Sequence, residues 1–199
     1  MNAVLPRRRS PAWNLANCLT YGRLAAVPVM VALLYWPDEP AARFTALGVF
    51  VLAAITDYLD GYVARTYAQS SALGRMLDPI ADKLLVAACL LMLSADGSIS
   101  GWTLWAAIVI LCREILVSGL REYLAELKVG VPVSKVAKWK TTLQLVAIGF
   151  LVAGPAGETL LPGTMAAGIG LLWLAAALTL YTGYDYMRAG IKHVIDDPR

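Results

Sequence analysis

Four aspartates hold most of the chemistry this sequence can do. Asp57 and Asp60 are three positions apart and Asp78 and Asp82 four apart, separations that place each pair on one face of a helix with 3.6 residues per turn. Both pairs fall within "DYLDGYVARTYAQSSALGRMLDPIADK", Asp57 to Lys83, where a short hairpin between two helices brings the faces together. Converging carboxylates repel unless they are protonated or neutralised. The nearby cations Arg65, Arg75 and Lys83 are fewer than the acids, so divalent cations are expected to complete the balance. An all-oxygen donor set suits Mg²⁺, Mn²⁺ or Ca²⁺ and disfavours zinc, which prefers His or Cys. The one histidine, His193, stands in a distant charged tail and is not expected to act as a base. Gly61 and Ala64 beside Asp60, and Gly74 one turn before Asp78, clear bulk from the wall, so that a planar or phosphorylated ligand can approach the backbone. Helix packing alone would explain the small residues, but not four acids.

The elements that position these acids are apolar. Among 199 residues, 59% are hydrophobic and 16% charged, with mean hydropathy +0.63; a bilayer is the expected solvent. Six segments approach the length of a spanning helix: Leu19 to Trp36, Phe44 to Tyr67, Pro79 to Ala95, Trp102 to Leu124, Thr142 to Gly157 and Thr164 to Met187. The loops "WPDEPAAR", "SADGSISG" and "GPAGETLLPG" carry the Pro and Gly residues expected to end helices. "SPAWNLANCLTYGR" reads as a short interfacial helix leading into the first span, with Trp13 at headgroup level. The expected architecture is an all-α integral membrane domain over residues 1–199: a tail and interfacial helix to residue 18, six spans over 19–187, and a tail over 188–199. Cys18, Cys89 and Cys112 lack metal-ligand spacing and read as small buried hydrophobes.

Orientation follows from charge. With the N terminus in the cytosol, 16 of the 17 Lys and Arg residues fall on the cytosolic side, leaving Arg43 outside, a strong positive-inside pattern. Both termini and the acids are then cytosolic, in a bacterial-type cell membrane. No small-residue cleavage site follows the first apolar run, which argues against a cleaved signal peptide. The net charge of +3 gives no reason to expect a nucleic-acid partner.

Written with its gaps, the acidic stretch is Asp57-x2-Asp60-Gly61-x2-Ala64-Arg65-x8-Gly74-x3-Asp78-x3-Asp82, and it resembles the signature of the CDP-alcohol phosphotransferases at every fixed position. The resemblance implies a six-helix membrane fold, usually dimeric, with a cytosol-facing site. It further implies that Asp57, Asp60, Asp78 and Asp82 hold two divalent metals, Mg²⁺ or Mn²⁺, and that Asp82 doubles as the base. Gly61, Ala64, Arg65 and Gly74 would line the cytidine diphosphate site with Asp60, and Ser71 would touch a phosphate. Asn17, Thr20 and Arg23 keep the family's leading motif, with Ala16 where proline is common, and Asn17 and Thr20 join the CDP-diacylglycerol residues. Elementary chemistry agrees: displacing CMP requires neutralising a diphosphate and deprotonating an alcohol.

The second half of the chain bears on which alcohol attacks. Arg113, Arg121, Lys135, Lys138 and Lys140 gather near the ends of spans four and five, where an anionic acceptor would be drawn. Arg121 and Lys128 read as ordinary positive-inside residues. Arg113 stands inside an apolar helix beside Glu114 and requires a polar cavity. "REILVSGLREY" followed by Val131, Val133, Ser134, Lys138, Lys140, Thr141 and Gln144 resembles the phosphatidylglycerophosphate synthases in particular, with Ala137 in place of a glycine. This implies transfer of a phosphatidyl group from CDP-diacylglycerol to sn-glycerol 3-phosphate, with Arg113, Lys135, Lys138 and Lys140 binding the acceptor phosphate. Rival readings are a phosphatidylserine or cardiolipin-type synthase and, from another class, a divalent-cation transporter. A transporter would continue polar residues toward the outer leaflet, whereas spans two and three turn uniformly apolar there.

Overall fold

A computed structural model describes residues 15–67, 72–127 and 135–195. Every element among them is helical: α1 (Leu15–Leu34), α2 (Pro40–Tyr67), α3 (Ala72–Ala95), α4 (Thr103–Glu126), α5 (Lys135–Leu160) and α6 (Thr164–Ile195). Neighbours run around the bundle in the order α1, α2, α5, α6, α4, α3, and α3 returns to α1. Phe50, Leu85, Leu93, Ile110, Ile148 and Leu172 form part of a shared core. Outside it, Leu52, Leu91 and Ile115 are each more than 60% exposed. So much apolar surface outside the core has a favourable solvent only in lipid. The chain is an all-α integral membrane protein. Five helices are long and apolar enough to span by composition; α3 is long enough but carries Arg75, Asp78, Asp82 and Lys83.

Four boundaries depart from the sequence reading. Residues 15–23 of the expected interfacial helix are the first turns of α1, which runs unbroken past Pro28; residues 1–14 lie outside the described residues. Helix α3 begins at Ala72 and takes Pro79 into its interior, although Pro79 was expected to open a span. Helix α2 begins at Pro40, where a missing N–H costs nothing, so Arg43 belongs to its first turn and not to a loop.

The fourth departure explains Arg43. "GPAGETLLPG" was expected to end the fifth helix, yet α5 continues to Leu160 through a kink at Gly154 (φ 51°) and Pro155. Proline removes the N–H that would bond the carbonyl of Leu151. Arg43 replaces it: Nη1 donates to the carbonyls of Leu151 at 3.2 Å and Val152 at 3.3 Å, and Nε to that of Pro37 at 2.9 Å. Its Nη2 pairs with Asp96 and reaches Ser98 Oγ at 3.4 Å. A Cβ on Gly154 would sit 2.4 Å from Arg43 Nη1. One buried guanidinium thus ties α2, the α3–α4 turn and the kinked α5 together at the end opposite the aspartates.

Cys89 is buried as expected, but Cys18 and Cys112 are exposed. In a bilayer an apolar side chain can face lipid as well as the core, so hydrophobicity alone did not determine their burial.

Candidate active site

The site is built where α1, α2 and α3 meet. Helix α1 supplies Asn17, Thr20 and Arg23, all at most 2% exposed, at spacings of three that keep them on one face. Arg23 is the pivot. Its Nη1 lies 3.0 Å from Oδ1 of Asp57 and donates to Oδ1 of Asp82 at 2.5 Å. One turn earlier, the Thr20 hydroxyl donates to Asp78. Three acids from two helices are therefore held by one face of a third. The guanidinium is buried, with its side chain 1% exposed, while the carboxylates of Asp57 and Asp82 are 42% and 43% exposed. The site is thus braced from inside and open from outside. Sequence reasoning placed Arg23 in the family's leading motif but took the local cations as Arg65, Arg75 and Lys83, and so did not read its pairing with acids 34 and 59 positions along the chain.

Gly74 is buried in α3, one turn before Asp78. Asp60, Gly61, Ala64 and Arg65 continue α2 past Asp57, but their side chains lie outside the described residues, as do those of Lys135 and Lys138 in α5 and of His193 in α6; Ser71 lies outside altogether. Among the described residues no three acids come close enough to ligate one ion, with Asp60 not among them. The donor chemistry still fits a hard divalent cation, since Asp57, Asp78 and Asp82 offer only oxygen and two of them face solvent.

A second polar cluster joins α4, α5 and α6. Lys140, 3% exposed, donates from Nζ to Oε1 of Glu114 at 2.5 Å. Arg113 reaches the same oxygen through Nη1 at 3.3 Å and the Thr182 hydroxyl through Nη2 at 3.3 Å. Its aliphatic stem crosses Gly183, where an added Cβ would stand 3.0 Å from Cγ. On these three helices the buried side-chain atoms without a hydrogen-bond partner among the described residues are Nε of Arg113, Oε1 of Gln144 and Oγ1 of Thr179. Such atoms inside a membrane bundle are costly and point to a polar ligand or water. Glu114 engages both Arg113 and Lys140, two of the residues that the sequence offers for an acceptor phosphate. Thr179 and Thr182 carried no sequence signal, being ordinary in a spanning helix. Arg121 is exposed, its guanidinium 5.7 Å from the Tyr186 ring centre.

A profile of the CDP-alcohol phosphatidyltransferases matches residues 13–181. The chain belongs to the CDP-alcohol phosphatidyltransferase family. The match covers α1 to α5 and α6 as far as residue 181, and with them both clusters except Thr182. The chain is 47% identical over 180 residues to a protein of Rickettsia bellii, covering 90% of this chain and 97% of the relative. It is 36% identical to one of Cereibacter sphaeroides, covering 93% and 99%, and 41% identical to one of Arabidopsis thaliana, covering 88% and 78%. The two bacterial relatives are named CDP-diacylglycerol–glycerol-3-phosphate 3-phosphatidyltransferase, and the plant protein bears that name with the suffix 2. The family generally uses divalent cations.

Proposed function

We propose that this protein transfers the phosphatidyl group of CDP-diacylglycerol to sn-glycerol 3-phosphate, giving phosphatidylglycerophosphate and CMP. The sharing of the Arg23 guanidinium between Asp57 and Asp82 carries the reading, because it holds carboxylates from two helices around an open face where a diphosphate and an alcohol can meet. Asp57, Asp60, Asp78 and Asp82 would hold two divalent cations, Mg²⁺ or Mn²⁺, which when bound supply positive charge against the diphosphate.

The protein's own groups do the rest. Asn17, Thr20, Asp60, Gly61, Ala64, Arg65, Ser71 and Gly74 line the nucleotide end, with Thr20 fixing Asp78 and Arg23 fixing Asp82. Arg113, Lys135, Lys138 and Lys140 attract the acceptor phosphate, Glu114 holding Arg113 and Lys140 in place. Asp82 takes the proton of the acceptor hydroxyl. That oxygen bonds to the phosphorus bearing diacylglycerol, the bond from this phosphorus to the bridging oxygen breaks, and CMP leaves with the electron pair. A phosphate leaving group needs no acid. The protein works as a homodimer in a bacterial-type cell membrane, its site and termini in the cytosol, as the basic asymmetry of the sequence favours.

Purified protein with CDP-diacylglycerol and Mg²⁺ or Mn²⁺, offered labelled glycerol 3-phosphate, serine or inositol phosphate, should convert the first in clear preference. Preference for serine or inositol phosphate overturns the acceptor assignment.

A further inference from the structure

Hydroxyls on the spanning helices commonly bond their own backbone. Thr45, Thr56, Thr159 and Thr182 each donate to a carbonyl three or four positions earlier, the usual way to satisfy a hydroxyl where no water is at hand. Thr179 departs from this pattern. It is 0% exposed, one turn before Thr182 on α6, and its Oγ1 has no hydrogen-bond partner among the described residues. Gln144, 3% exposed on α5, leaves Oε1 unpaired in the same way, and Arg113 leaves Nε unpaired on α4. Each such atom carries the cost of a lost hydrogen bond, so three of them on three adjoining helices call for one explanation.

The ion-paired residues fix where these atoms stand in the bundle. Thr182 accepts from Nη2 of Arg113, and Lys140 reaches Glu114. Thr179 precedes Thr182 by three residues and Gln144 follows Lys140 by four, so each lies one turn further into the membrane than the neighbour that engages α4. At 1.5 Å per residue that is about 4.5–6 Å, a span short enough for one small acceptor to meet the cations and these atoms together. Gly183 lets Nε of Arg113 approach α6, since a Cβ there would stand 3.3 Å from it.

The donor pattern selects the chemical group. Nε of Arg113 only donates, Oε1 of Gln144 only accepts, and the Thr179 hydroxyl does either. An ionised phosphate would leave the Gln144 oxygen unmet, and an ammonium would leave the Arg113 nitrogen unmet. A neutral hydroxyl accepts one bond and donates another, and so satisfies both. In glycerol 3-phosphate the less hindered primary hydroxyl is the nucleophile, which leaves the secondary hydroxyl to be met by the protein.

We infer that Gln144, Thr179 and Nε of Arg113 receive the secondary hydroxyl of the acceptor and so determine acceptor choice beyond its phosphate. The inference rests on the acceptor assigned under the proposed function.

The test compares glycerol 3-phosphate with 3-hydroxypropyl phosphate, which keeps the primary hydroxyl and the phosphate but lacks the secondary hydroxyl. With CDP-diacylglycerol as donor, the wild-type protein should prefer glycerol 3-phosphate by at least about tenfold in kcat/KM, because an analogue without the hydroxyl leaves the buried groups unmet. Thr179→Val removes the hydroxyl at nearly constant shape, and Gln144→Met removes the amide at similar length. In each the preference should fall to within about threefold, and Thr179→Ser should restore it. Thermal inactivation in detergent confirms that the variants are folded, and the wild-type comparison needs no variant. Equal losses for both acceptors would keep the preference, point to packing or a bound water, and overturn the inference. A wild-type protein indifferent to the secondary hydroxyl overturns it too, while leaving the acceptor assignment standing. Transfer to serine in place of either phosphate overturns the assignment and the inference with it.

Discussion

Arg23 donates from Nη1 to Oδ1 of Asp82 at 2.5 Å, joining α1 to α3 across 59 positions of sequence. The same nitrogen is 3.0 Å from Asp57, so one buried cation sets the spacing of two half-exposed acids. Replacing it with Gln leaves two neighbouring carboxylates without their shared counter-charge. The Asp side chains are more than a third exposed, so water offsets part of the loss. Turnover should still fall at least about tenfold, the low end of a charge-assisted contact worth about 1.5–3 kcal/mol. Arg23→Lys should recover only part of it, because one ammonium lacks the planar fork. Steady-state kinetics on both variants, with folding checked by thermal inactivation, decides this.

At the opposite end, Gly154 and Arg43 make a stability prediction. Gly154→Ala places a Cβ against the Arg43 guanidinium at a positive φ, combining overpacking with backbone strain. A loss of about 1–3 kcal/mol is expected. Arg43→Ala orphans the carbonyls of Leu151 and Val152 and leaves Asp96 unpaired, for about 3–5 kcal/mol. Inactivation half-lives at elevated temperature should shorten in both, more in Arg43→Ala, with KM for both substrates unchanged below that temperature.

The acid pairs were legible in the sequence because both carboxylates of a pair lie within one helical turn, where spacing alone reports a shared face. The apolar lengths likewise gave six helices. What escaped reading was pairing at a distance: Arg23 with Asp82, Lys140 with Glu114, Arg43 with Asp96. Such contacts depend on how helices are arranged and leave no periodic trace. Pro155 misled for a related reason, since the residue that relieves its broken hydrogen bond, Arg43, lies more than 100 positions away. The exposed Cys18 and Cys112 show that apolar character does not distinguish core from lipid-facing positions.

Orientation can be tested chemically. After native cysteines are replaced, a cysteine at Ser98 or Glu158 should react with an impermeant thiol reagent in intact cells, and one at Ser134 should not. The reverse labelling would place the acids on the external side.

Acceptor recognition should separate the basic residues. Arg113→Ala or Lys138→Ala should lower kcat/KM for glycerol 3-phosphate at least about tenfold, with apparent affinity for CDP-diacylglycerol much less affected. Arg121, exposed over Tyr186, is the control and should change little. Equal losses in all three would indicate general electrostatics at the membrane face.

Asp82→Asn tests the account most directly, measured as transfer from CDP-diacylglycerol to glycerol 3-phosphate beside equilibrium binding of CDP-diacylglycerol. Asparagine keeps the shape, and its side-chain oxygen can still accept from Arg23, but it cannot take a proton at neutral pH. Asp57→Asn, by comparison, should weaken divalent-cation dependence and donor binding together. The account predicts that Asp82→Asn abolishes transfer while donor binding stays largely intact; near-normal transfer by this variant would contradict it.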